Sequence, residues 1–146
     1  MRQRLREDYP AALGTIVHSA AVPYGITLTV WGSGALVMHF RGPPRVFEVF
    51  LFVLGGVVGY ALATMPAIGV TRTRQPSVPG SHLVLAGMLH PLAIGAALGS
   101  VTLVAMIQGW VAWPLGGLCG IAVYLLLVGV EYAFAGHAAS APDEQR

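Results

Sequence analysis

Charged positions cut the chain into long apolar runs. Asp, Glu, Lys and Arg are absent from Pro10–Phe40, Val49–Thr71, Gln75–Val130 and Tyr132–Pro142, and the third run is interrupted near Gln108–Pro114 by polar residues, glycine and proline. A bilayer core about 30 Å thick takes about 20 apolar residues per helix. The pattern therefore predicts four membrane-spanning helices, at about 12–39, 46–70, 82–107 and 111–134, in one integral domain that covers residues 1–146. The fold class expected is all-α, a four-transmembrane-helix bundle. The first helix is overlong and contains Pro23, which predicts a kink or tilt, because proline removes a backbone hydrogen bond. Arg41-Gly-Pro-Pro-Arg45 reads as a tight turn, Thr71–Ser81 as the longest connection, and Gln108-Gly-Trp110 as a second tight turn. Pro114 falls in the first turn of the fourth helix, where it is tolerated. The tail Gly136–Arg146 is polar.

Arginine placement orients the helices. With both termini cytoplasmic, the inner segments carry Arg2, Arg4, Arg6, Arg72, Arg74 and Arg146, and the outer ones only Arg41 and Arg45. This matches the excess of basic residues found on the cytoplasmic side. Trp110 and Trp113 then fall in the outer aromatic belt, Trp31 in the outer half, and Tyr9 and Tyr132 at the inner belt. Basic Met1–Asp8 precedes an apolar run of about 30 residues, longer than the 7–15 of a signal peptide, so an uncleaved first helix is expected. Two segment pairs echo each other in order. His18-Ser-Ala-Ala-Val-Pro is echoed by His90-Pro-Leu-Ala-Ile-Gly, and Leu54-Gly-Gly-Val-Val-Gly by Leu115-Gly-Gly-Leu-Cys-Gly. The echoes are consistent with a duplicated helical hairpin.

Composition agrees with lipid as the solvent. Charged residues make up 10% of the chain and hydrophobic ones 55%, against about 25% charged in a soluble domain. All eight basic residues are arginine, in short clusters that read as topology signals, so no nucleic-acid partner is expected. Absent lysine and abundant Ala, Gly and Val suggest a high-GC bacterial gene, and hence a multi-pass protein of the bacterial inner membrane. Cys119 is alone, which excludes an intrachain disulfide and a thiolate metal site.

Small residues recur every four positions: Gly25, Thr29 and Ser33; Gly55, Gly59 and Ala63; Gly95 and Gly99; Ala112, Gly116 and Gly120. Lipid offers helices no hydrophobic reason to associate, so close backbone approach through such stripes holds bundles together. Gly55, Gly59, Gly95, Gly99, Gly116 and Gly120 are therefore expected at helix contacts within the chain or between copies.

Glu131 is the one acid inside a predicted helix beyond its first turn. It shares a helical face with Tyr124, Gly120 and Gly117. Either it reaches the inner interface and an arginine there, or it is a carboxyl that handles a proton or cation. His18 and His90 fall at similar depth, slightly deeper than Glu131, so Glu131, His18, His90 and Tyr124 form the candidate proton or ion site. His39 and His82 read as interfacial, and Glu48 as a first-turn acid following Arg45. Motifs for nucleotide binding, zinc proteolysis and serine hydrolysis are missing, and no paired acids lie in the membrane, so no enzyme activity, metal or cofactor is expected.

The first functional reading is an accessory or assembly subunit of a membrane complex, with lipid and other membrane subunits or copies of itself as partners. The alternatives are a homo-oligomeric channel or proton-coupled transporter using Glu131 with His18 and His90, and an electron-transfer subunit with haem b between His18 and His90. Size and layout are similar to small multidrug-resistance transporters and dual-topology fluoride channels, but the former need an acid in their first helix and none is present here. The similarity is one of architecture and supplies no function.

Overall fold

The computed structural model describes the backbone of residues 23–68 and 80–139, with side chains over 23–66 and 90–133. These residues form four α-helices and no strand: α1 (23–41), α2 (Val46–Ile68), α3 (Gly80–Ala105) and α4 (Ala112–Ala139). Two of them, α2 over Val46–Pro66 and α4 over Ala112–Ala133, are long and apolar enough to cross a membrane. The described apolar part of α3, His90–Ala105, is shorter. The expected start of the first helix, residues 71–79 of the expected loop with its arginines, and the C-terminal tail from 140 lie outside the described residues.

Local chemistry sets the turns. The Gly42 N–H donates to the Met38 carbonyl over 2.8 Å, and Gly42 has φ of 81°, the left-handed conformation that ends a helix and favours glycine. Pro43 and Pro44 cannot continue α1. The next helix is opened by Glu48, whose carboxylate accepts from the Arg45 backbone N–H over 2.7 Å, half of a capping box. The end of α3 tightens through bonds from Met106 to Leu103 and from Ile107 to Val104. Gly109, with φ of 98°, then reverses the chain.

The boundaries differ from the pattern-based ones in two places. α3 runs over 80–105 rather than 82–107, because its last carbonyls turn to a partner on α1: Arg41 Nε donates to Ala105 O over 3.1 Å. α4 runs on to Ala139 rather than about 134, through an Ala-rich segment of high helix propensity.

Contacts fix the arrangement. α4 is central, meeting the other three helices. It runs antiparallel to α1, with Tyr124 against Gly25, Gly120 against Ser33 and Gly116 against Val37. It runs antiparallel to α3, from His90 beside Glu131 to the cluster of Val101, Ala105 and Trp113. With α2 it is parallel and backbones nearly touch: a Cβ on Gly55 would strike the Pro114 carbonyl, and one on Gly117 the Phe52 carbonyl. The two tight turns therefore share one end of the bundle, which Arg41 ties together. Val37, Val101, Ala105 and Trp113 form the core near that end, and Ala93, Ala97, Tyr124 and Val128 the core nearer the other.

Candidate functional site

The second core carries the bundle's buried ionisable groups. His90 lies on α3 one turn before Ala93 and two before Ala97, so its ring points where these two face α4. Glu131 lies on α4 one turn after Val128 and two after Tyr124, which sets its carboxyl on the opposing face. His90 Nδ1 and Glu131 Oε2 are 3.2 Å apart, and the side chains are 8% and 10% exposed. At about 1.5 Å per residue, Glu131 stands about 29 Å along α4 from Ala112, near the far end of the apolar span. Tyr124, fully buried, sets its ring edge-on to the imidazole, with centroids 5.9 Å apart at 90°. Its hydroxyl end abuts Gly25 so closely that a Cβ there would collide with it. Tyr132, half-buried, packs against the same cluster.

The pair has two proton arrangements. With the proton on Nδ1, imidazole donates to carboxylate; with the proton on Glu131, the carboxyl donates to Nδ1. In either case His90 Nε2 is buried and has no hydrogen-bond partner among the described residues. Chemically the arrangement can accept, hold and release a proton. No group of three His, Cys, Asp or Glu that could hold a metal gathers among the described residues.

Of the four residues singled out from sequence, the structure brings His90, Glu131 and Tyr124 together. His18, and with it the two-histidine haem arrangement, lies outside the described residues. Glu131 meets His90 across the bundle, and Arg72, Arg74 and the N-terminal arginines, its other expected partners, lie outside the described residues.

The six glycines divide. A Cβ on Gly59 would stand 2.5 Å from the Leu118 carbonyl, one on Gly116 2.7 Å from Val37, and one on Gly120 2.5 Å from the Ser33 hydroxyl, while Gly55 faces Pro114. Gly95 and Gly99 differ: they are exposed on α3 with no described atom within 4 Å of the added carbon, and Ala93, Ala97 and Val101 take the face that meets α4.

Two features escaped the sequence reading. Thr29 and Ser33 are fully buried hydroxyls at the α1–α4 contact, without a hydrogen-bond partner among the described residues. Their spacing marked them as small residues, and nothing in the pattern marked them as unpaired. An apolar groove of about 290 Å³ also opens between α1 and α2 over Gly117 and Ile121 of α4. It follows from Gly56 and Gly117, which bring backbones together but leave no side chains to fill the space above. No protein-family model, curated protein or solved structure matches this chain.

Proposed function

We propose that the chain is a multi-pass protein of the cell membrane, with four spans and both termini cytoplasmic, that handles protons at the His90–Glu131 pair as a subunit of a homo-oligomeric channel or proton-coupled transporter. One observation carries this reading: a histidine and a carboxylate 3.2 Å apart, both nearly buried, between two apolar helices. Ionisable groups inside a membrane-spanning helix are rare, and by default mark a proton or ion path. The shared proton can rest on either residue, and the unpartnered Nε2 offers a second point of exchange. Four helices of this size rarely leave a wide pore inside one copy, so this reading predicts an oligomer. Reconstitution into vesicles holding a pH-sensitive dye tests this. Wild-type protein should dissipate an imposed pH gradient, and Glu131→Gln or His90→Ala should abolish the flux. Vesicles with wild-type protein as tight as empty ones would refute it.

The accessory-subunit reading is favoured by a different observation. The outward face of α3 sets exposed Gly95 and Gly99 between Leu92 and Leu103, 68% and 70% exposed, a surface another helix could approach closely. Mild-detergent purification followed by mass spectrometry separates the two. A stoichiometric foreign membrane protein supports the accessory role, and a pure homo-oligomer supports the channel or transporter.

A further inference from the structure

At the end of the bundle away from His90 and Glu131, the two tight turns leave a hollow of about 310 Å³ lined by Arg45, Phe47, Glu48 and Trp110. The apolar span of α2 begins at Val46 and that of α4 at Ala112. All four lining residues therefore stand within about one helical turn of where both spans begin. On the reading that the chain crosses the bilayer, on which this inference rests, that is the level of the lipid headgroups.

The lining is specific in its chemistry. Phe47 and Trp110 are 66% and 59% exposed, which places aromatic rings where amphipathic molecules meet water. The Arg45 side chain is exposed, and Glu48 is half-buried. Among the described residues the one ion pair is His90–Glu131, so the Arg45 guanidinium and the Glu48 carboxylate do not neutralise each other. Glu48 commits Oε2 to the Arg45 backbone N–H. Its other oxygen keeps its capacity to accept. The hollow thus offers, among the described residues, one cation with its donors unspent, one anion with an oxygen unspent, and two aromatic rings in its wall.

We propose that this hollow binds the headgroup of a zwitterionic phospholipid bearing a primary ammonium. The guanidinium takes the phosphate, a geometry that planar paired donors suit. The ammonium donates to Glu48 and lies against the face of Trp110, where cations are attracted to the ring. The glycerol and upper acyl carbons cover Phe47. A purely anionic headgroup meets repulsion from Glu48. A quaternary ammonium keeps the attraction to Trp110 but has no N–H to donate to the carboxylate.

The test uses the full chain. Alkaline carbonate extraction of membranes is done first, then native mass spectrometry in mild detergent with equimolar phosphatidylethanolamine, phosphatidylcholine and phosphatidylglycerol of identical acyl chains. Wild-type protein should stay in the membrane and retain the ethanolamine lipid about tenfold over each of the others, the low end of what one charge-assisted hydrogen bond contributes. Glu48→Gln keeps an oxygen to cap the Arg45 N–H, so the turn is preserved. It should lower ethanolamine retention to the choline level and raise that of the glycerol lipid. Arg45→Gln should lower all three. Release by carbonate would overturn the membrane reading and this inference together. A carbonate-resistant protein that retains the three lipids equally, or whose preference survives Glu48→Gln, would overturn this inference alone.

Discussion

Gly120 of α4 lies directly against Ser33 of α1: a Cβ added to the glycine would stand 2.5 Å from the Ser33 hydroxyl oxygen. The two helices can approach this closely because one carries no side chain and the other a small one. Gly120→Leu should therefore separate them, at a cost on the order of 1–3 kcal/mol. Gly59→Leu should do the same at the α2–α4 contact, where the neighbour is the Leu118 backbone. Gly95→Leu, on the open face of α3, is the control and should change stability by less than about 0.5 kcal/mol. Thermal unfolding in detergent measures all three. A melting temperature for Gly120→Leu equal to wild type would show that α1 and α4 do not meet there.

The His90–Glu131 pair should show as a coupling energy between α3 and α4. Interhelical hydrogen bonds in membranes average about 0.6 kcal/mol and reach about 1.7, while breaking one partner of a buried ion pair costs about 3–5 kcal/mol. A pair 8% and 10% exposed near the end of the span belongs between these values. His90→Ala and Glu131→Gln should each destabilise by about 1–3 kcal/mol, and the double variant should lose less than the sum. Additive losses would mean the two side chains do not interact.

The helix count and the α1–α2 turn were legible in the sequence because strong local signals define them. Pro43 and Pro44 bar helix continuation, Gly42 supplies the left-handed residue, and Glu48 caps α2 at Arg45. The sequence sets His90 slightly deeper than Glu131, and the structure sets the two side chains level. The two residues lie at nearly equal chain distances from Gly109, and an antiparallel hairpin puts such positions level. Which face each presents was harder. Gly95–Gly99 and Gly116–Gly120 have the same spacing, yet the second pair meets α1 and the first meets nothing described. In lipid, a face that packs on protein and a face that meets acyl chains are equally apolar, so the pattern lacks the polar-against-apolar contrast that marks the outside of a soluble helix. The end of α3 was missed for a related reason. It is met by Arg41, more than sixty residues away in the chain, and no local pattern reports that.

That contact makes its own prediction. Arg41 donates from Nε to Ala105 O over 3.1 Å and, more weakly, from a terminal nitrogen to Met106 O over 3.5 Å. A cation at the C-terminus of α3 also meets the negative end of the helix dipole. Arg41→Gln should cost about 1 kcal/mol, as expected for a partly exposed charge-assisted contact. It should speed amide exchange at Ile107 and Gln108, which follow the carbonyls Arg41 holds. Unchanged exchange there would mean the turn holds without the arginine.

The end that Arg41 ties together carries the topology. Both tight turns lie at that end, so Pro43 and Gln108, each exposed, must lie on the same side of any membrane the bundle crosses. The topology proposed above, with most arginines inside, puts that side outside. Cysteines at Pro43 and Gln108, introduced one at a time with Cys119 replaced by Ala, should both react with a membrane-impermeant thiol reagent on intact cells. A cysteine at Ser77, in the connection between α2 and α3, should react only after the membrane is opened. Neither substituted turn residue has a positive φ, and the backbone N–H of Pro43 is absent in any case, so the turn geometry at Gly42 and Gly109 is left alone. Labelling of Ser77 alone would keep the fold and reverse its orientation. Labelling of Pro43 but not Gln108 would break the fold itself, because no arrangement with Arg41 bonded to Ala105 puts the two turns on opposite sides of a bilayer.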